Sequence, residues 1–173
     1  WQRLCVIISR DGSCHLLTLQ IPTELYDNGG SLFDGELVST TSGWNHILLF
    51  DCYSYKGINI RQLPLKRRFA RCEKLAEQTM HREVDSVIIK AKPYYSLIKQ
   101  HLDDALAFLG NVNHYLDFNT DGIVLVPPGP SLCTQGRDET QFKMKSNHTI
   151  DLILIQDTDD AEQPFFLASY DDS

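Results

Sequence analysis

Leu32-Phe33-Asp34-Gly35-Glu36-Leu37-Val38 and Ile47-Leu48-Leu49-Phe50-Asp51-Cys52-Tyr53 are two apolar runs of strand length, joined by the polar segment Ser39 to Asn45. Runs of this kind, bounded by residues that tolerate backbone reversal, read as paired β-strands. The triplet Asp34-Gly35-Glu36 sets two carboxylates inside the first strand, and it is the first of three short sites at which chemistry could sit.

Upstream, Leu4 to Ser9 and His15 to Ile21 are β-rich runs around Arg10-Asp11-Gly12-Ser13, where Asp-Gly is a strong hairpin signal. Asn28-Gly29-Gly30 breaks the pattern, so the first 53 residues read as a meander of four strands. Downstream of Pro64 the period changes: Leu65, Phe69, Cys72, Leu75, Ala76 and Met80 recur at three and four residues, the spacing of an amphipathic helix. Val84 to Ala91 reads as a strand ending before Pro93, and Tyr95 to Leu109 as a second helix closed by Gly110. Gly122 to Val126, Gln141 to Lys145 and Thr149 to Ile155 are further strands. The fold class is α+β.

A chain of 173 residues suits one domain. Its net charge of −7 argues against wrapping nucleic acid over the whole surface, though a local basic site is compatible with it. Five scattered cysteines without a Cys-x-x-Cys pair cannot close into a full disulfide set and suit an intracellular, reducing compartment. No apolar run approaches the ~20 residues that span a bilayer, and no membrane partner is expected. The six histidines lack metal-ligand spacing, and neither a nucleophile-elbow nor a P-loop pattern occurs. Lys66-Arg67-Arg68-Phe69-Ala70-Arg71 is a basic run on the first helix, open to two readings: a solvated face or a surface that steers RNA.

The other two chemical sites are Asp121-Gly122, opening a strand, and Lys143-Met144-Lys145 on another. Taken singly, each is as commonplace as a turn or a solvated strand face. Taken in order, Asp34 to Val38, Phe50-Asp51, Asp121 to Val124 and Lys143 to Lys145 resemble the collinear motifs of the covalent nucleotidyltransferases, the superfamily of mRNA capping enzymes and polynucleotide ligases. Lys92-Pro93-Tyr94-Tyr95 resembles a further capping-enzyme segment, so the likeness spans nearly the whole chain. Asp-Gly at 121–122, where ligases usually carry Glu-Gly, and Asn147-His148-Thr149-Ile150-Asp151 both resemble the guanylyltransferase branch.

The resemblance implies a core of two antiparallel sheets with flanking helices, over residues 1–156, with GTP between the sheets. It implies that Lys143 and Lys145, which alternation puts on one strand face, contact the α-phosphate. Glu36 and Asp121 are hard oxygen donors suited to Mg²⁺ or Mn²⁺, and Glu36 would also touch the ribose. Phe50 offers a flat face either to guanine or to the core. Asp34 belongs to the nucleotide site by the same likeness, or only shapes the strand entrance. The RNA 5′ end is the implied acceptor.

The nucleophilic lysine of the first motif, Lys-x-Asp-Gly, has no match. Ser9-Arg10-Asp11-Gly12 has the Asp-Gly without the lysine, and the resemblance sets that lysine just before Trp1. The chain, opening at Trp1, then reads as a piece of a longer protein that would not self-guanylylate. Residues 157–173 read as a linker or the start of a following OB-fold domain. Met144, where cellular enzymes usually have Trp, points to a large DNA virus, with triphosphatase and methyltransferase domains fused or associated. The setting would be host cytoplasm or virion if viral, nucleus if cellular. Two alternatives stay open: an ATP-dependent RNA or DNA ligase core, and a catalytically inactive binding module.

Overall fold

The computed structural model describes residues 4–82, 85, 87–96, 116–120, 122–131, 138 and 140–145, with backbone alone for 152–156 and 165–169. Strands β1 (Cys5–Ile8) and β2 (Cys14–Leu17) pair antiparallel around the expected Asp-Gly turn. The Asp11 carboxylate accepts from the Ser13 amide and hydroxyl, and Gly12 takes φ +83°, which glycine adopts at no steric cost. The chain then leaves this hairpin through the 3-10 segment Thr23–Gly29 and does not continue as a meander. β3 (Leu32–Ser39) pairs instead with β4 (Asn45–Tyr55), giving a second, separate ladder. Seven irregular residues are enough to break a ladder that strand propensity alone would have continued.

β5 (Ile58–Asn59) folds back on the end of β4, and α1 (Leu65–Gln78) follows. Pro64 precedes the helix at φ −54°, and Thr79 ends it in an extended conformation, its hydroxyl donating to the Leu75 carbonyl at 2.7 Å. Met80, though in phase with the helical stripe, lies beyond that end, 67% exposed, with its backbone bridged to Gln20. β6 (Val87–Ala91) then pairs parallel to β4, from Asn45↔Val87 to Leu49↔Ala91. A parallel pair needs a crossover, and α1 supplies it. The expected α+β fold with antiparallel ladders stands, and the four-stranded sheet adds one parallel pair, because β4 and β6 are the two strands of a β-α-β unit.

The crossover decides which face of the sheet is covered. Phe69, Cys72 and Leu75 of α1 pack with Leu49, Cys52 and Ile89 of the sheet and with Leu25 and Ile60 beside it. Register then assigns the other face. Because Leu49 and Ile47 belong to the helix side, Leu48, its partner Glu36 on β3 and its partner Lys90 on β6 point away from α1.

β7 (Ile123–Leu125) and β8 (Phe142–Met144) form a further antiparallel ladder, and β9 (Leu152–Gln156) and β10 (Phe165–Ser169) another. The second expected helix, Tyr95 to Leu109, falls on 97–115, outside the described residues. Among the described residues no helix is long and apolar enough to cross a membrane.

Candidate active site

The face away from α1 carries the polar groups. The β3–β4 register runs from Asp34↔Asp51 to Gly35↔Leu49, so Phe50 is an extra residue on β4. A bulge re-aims the side chain it carries. Gly35 belongs to the same irregularity: a Cβ there would come within 3.2 Å of the Leu48 carbonyl oxygen and of Leu49 Cδ2. The glycine between the two acids therefore lets β3 approach the bulged strand.

Lys92 completes this corner. Its amide donates to the Leu49 carbonyl at 2.7 Å, one step beyond the end of β6. Its Nζ lies 2.7 Å from Glu36 Oε2 and 5.6 Å from the centroid of the Phe50 ring. Two residues on, the Tyr94 ring packs on Phe69 with centroids 5.0 Å apart, tying the segment after Lys92 to the helix. Carboxylate, ammonium and aromatic ring are thus gathered on one open patch, with Glu36 54% exposed. Lys92 stood in the sequence only as part of a motif; nothing in its spacing announced a contact with Glu36, 56 positions away.

Asp34 accepts from the Tyr53 hydroxyl at 2.7 Å and from the Gly35 amide at 3.0 Å. Its carboxylate is held by groups of the β3–β4 pair, which accords with a part in shaping the strand.

Behind Phe50, Asp51 is engaged by the buried Arg68 of α1, Nε to Oδ1 at 2.7 Å and Nη2 to Oδ2 at 3.1 Å. Asp51 Oδ1 also takes the Cys52 amide at 2.7 Å. Arg68 Nη1 donates to the Leu63 and Gly129 carbonyls, so one side chain joins β4, the start of α1 and the segment after β7. A two-pronged guanidinium–carboxylate pair fixes orientation as well as charge.

Lys90, His46 and Asp117 form a second cluster on this face. Lys90 Nζ lies 3.2 Å from Asp117 Oδ2, and His46 Nδ1 3.8 Å from the same oxygen. Burial pushes the His46 imidazole below its ordinary value; the Lys90 charge adds to that, and Asp117 opposes it.

The lysine pair lies on the β7–β8 ladder. Val124 pairs with Lys143 and Ile123 with Met144; Lys143 and Lys145 are exposed, and alternation sets both on one face. Gly122 fits against this strand: at φ +150°, its added Cβ would stand 1.9 Å from the Met144 carbonyl oxygen. Asp121 itself lies outside the described residues. The segment after β7 returns to α1, the Leu65 amide donating to the Pro128 carbonyl at 2.9 Å.

Of the residues expected at the site, the structure brings Glu36 and Phe50 together around Lys92, and sets Asp34 on the same β3–β4 pair. Lys143 and Lys145 belong to a different ladder. Among the described residues no three His, Cys, Asp or Glu side chains gather as a cation cage, and Glu36 is paired to Lys92.

The motif order, the β-α-β unit with one polar face, and a family match over residues 2–147 agree on one assignment. The chain belongs to the family of the mRNA capping enzyme catalytic domain, and is a guanylyltransferase-type nucleotidyltransferase.

Proposed function

We propose that this domain binds GTP against the Phe50–Lys92–Glu36 corner and passes GMP, through a lysyl-GMP intermediate, to the 5′ diphosphate end of RNA. In the first step a lysine Nζ attacks the α-phosphorus, the phosphorus–nitrogen bond forms, and pyrophosphate departs as the α–β bridge breaks. In the second, a terminal phosphate oxygen of the RNA attacks the same phosphorus, and the lysine leaves and regains its proton. The nucleophile in this reading comes from before Trp1. Lys143 and Lys145 offset the charge that builds on the phosphoryl oxygens, and Glu36 takes the ribose. Mg²⁺ or Mn²⁺ would be held by Glu36 and Asp121 together with the phosphates and would neutralise them.

The observation that supports the base assignment is the ammonium of Lys92 over the Phe50 ring, 5.6 Å from its centroid. A purine that stacks on this face of Phe50 displaces the ammonium to its own rim, where the base edge meets that donor. Guanine offers two acceptors there, O6 and N7, whereas adenine sets an amino donor where O6 would be. Glu36, paired to Lys92, is then beside the sugar of the same nucleotide. A setting in a large DNA virus, beside triphosphatase and methyltransferase domains, belongs to the same proposal and rests on Met144, while a reducing compartment rests on the five scattered cysteines.

Calorimetric titration of the chain with GTP and ATP tests this reading. GTP should bind at least tenfold more tightly. A preference for ATP would move the protein to the ligase branch, and binding of neither would leave a domain without nucleotide chemistry. With a polypeptide extended upstream of Trp1, α-labelled GTP should yield an acid-labile covalent adduct.

A further inference from the structure

Helix α1 carries its charge in the order least favourable to its own stability. Lys66, Arg67 and Arg68 fall in the first turn and no acid does, although the positive end of the helix dipole favours carboxylates there. Arg68 is accounted for by Asp51. Lys66 and Arg67 are exposed and form no ion pair among the described residues, and with Pro64 and Ala70 they line an open hollow of about 430 Å³.

The basic surface extends beyond the helix. Arg71, one turn after Arg67 and so on the same side, holds its guanidinium 4.8 Å from the centroid of Tyr55 on β4, and its Nε is buried without a hydrogen-bond partner. Lys56 Nζ stands 5.7 Å from the same ring. Lys56 holds φ +52° ahead of Gly57 at +78°, the two-residue turn in which asparagine is the usual first residue. In a chain of net charge −7, Arg71 and Lys56 therefore flank one half-buried aromatic ring, and Lys66 and Arg67 precede Arg71 on the helix, all four without carboxylate partners among the described residues.

We propose that this surface, Lys66, Arg67, Arg71, Lys56 and Tyr55, binds the single-stranded body of an RNA whose 5′ end is at the nucleotide corner. Cations that follow a backbone, interleaved with an aromatic ring, are what a single strand requires: phosphates meet the charges, and any base has a face for the ring. The two places share one strand. Tyr55 lies five residues beyond Phe50 on β4, about 17 Å at the usual rise and on the α1 side of the sheet, and Arg67 adjoins the Arg68 that grips Asp51. The proposal rests on the guanylyltransferase reading only for which end of the RNA lies at the corner.

The test is fluorescence anisotropy with a 3′-labelled, unstructured 20-nucleotide RNA bearing a 5′ hydroxyl, so that diphosphate recognition plays no part. K66E/R67E should weaken binding at least tenfold in 0.1 M salt with its thermal midpoint no lower, since carboxylates suit that end of the helix. K66Q/R67Q should flatten the plot of log K against log salt by about 1.4, the loss of two phosphate contacts on a single strand. Equal affinity in parent and K66E/R67E would overturn the proposal. So would tighter binding of a phosphoserine peptide of equal charge, lost in the same variant, which would make the partner a phosphoprotein. If RNA binding depends on these residues while GTP does not bind, the surface stands and the guanylyltransferase reading falls alone.

Discussion

Gly122 lies directly against the carbonyl of Met144, so closely that a single added methyl would stand 1.9 Å from its oxygen. The Asp-Gly and Lys-x-Lys motifs are thus fitted to each other through backbone, and the glycine is set by its neighbour. Gly122→Ala should cost about 2–4 kcal/mol, from an unfavourable φ and a contact that no side chain can yield to. Gly129→Ala, with nothing within 4 Å of the added atom, should cost little and serves as the control. Thermal unfolding measures both; equal midpoints would show that β7 and β8 do not lie this close.

Lys92→Met separates binding from stability. The Glu36–Lys92 pair is substantially exposed, and pairs of that kind are worth about 0–1 kcal/mol, so the midpoint should move by no more than about 3 °C. GTP affinity should fall at least tenfold, about 1.4 kcal/mol, if the ammonium meets the guanine edge. A fall in stability without a fall in affinity would reduce Lys92 to a strand-end tether.

Arg68→Ala should behave in the opposite way. It removes the guanidinium from a carboxylate that is 12% exposed and leaves two backbone carbonyls without their donor, for a loss of about 3–5 kcal/mol. The double variant Arg68→Met/Asp51→Leu should recover part of that loss, because it leaves no unpaired charge. Urea unfolding of Arg68→Met, Asp51→Leu and the double variant reads the coupling directly, and strict additivity would contradict the pairing.

His46 gives the domain a pH dependence of predictable sign. Its imidazole is buried, Nδ1 lacks a hydrogen-bond partner among the described residues, and burial followed by the Lys90 charge lowers its pKa below the usual 6.5. The folded state therefore favours the neutral ring, and the unfolded state binds the proton first. The stability from this group is fully present above about pH 6.5 and is lost as pH falls through the lowered folded value. Urea midpoints between pH 7.5 and 5 should fall more steeply in the parent than in His46→Leu; parallel profiles would show that another group governs the acid limb.

The sequence by itself determined the ladders and the helix that connections of a few residues specify. The Asp11-Gly12 hairpin, the β3–β4 pair and the stripe of α1 each depend on period and turn chemistry within about twenty residues, and all stand where those signals place them. Motif order along the chain was enough to name the family. Tertiary structure alone decided that β6 runs parallel to β4, that Met80 leaves the helix, and that the first two hairpins are separate ladders. It also decided that Phe50 is the extra residue of a bulge, that Lys92 reaches Glu36, and that Arg68 is spent on Asp51 while Arg67 beside it faces out. Each of those outcomes depends on atoms brought together from 14 to 60 positions apart, or on which of two nearly equal faces a crossover covers. Local preference is blind to both, because the energies that choose between them, burial, a paired charge, a carbonyl with no room beside it, exist only once the chain has closed on itself.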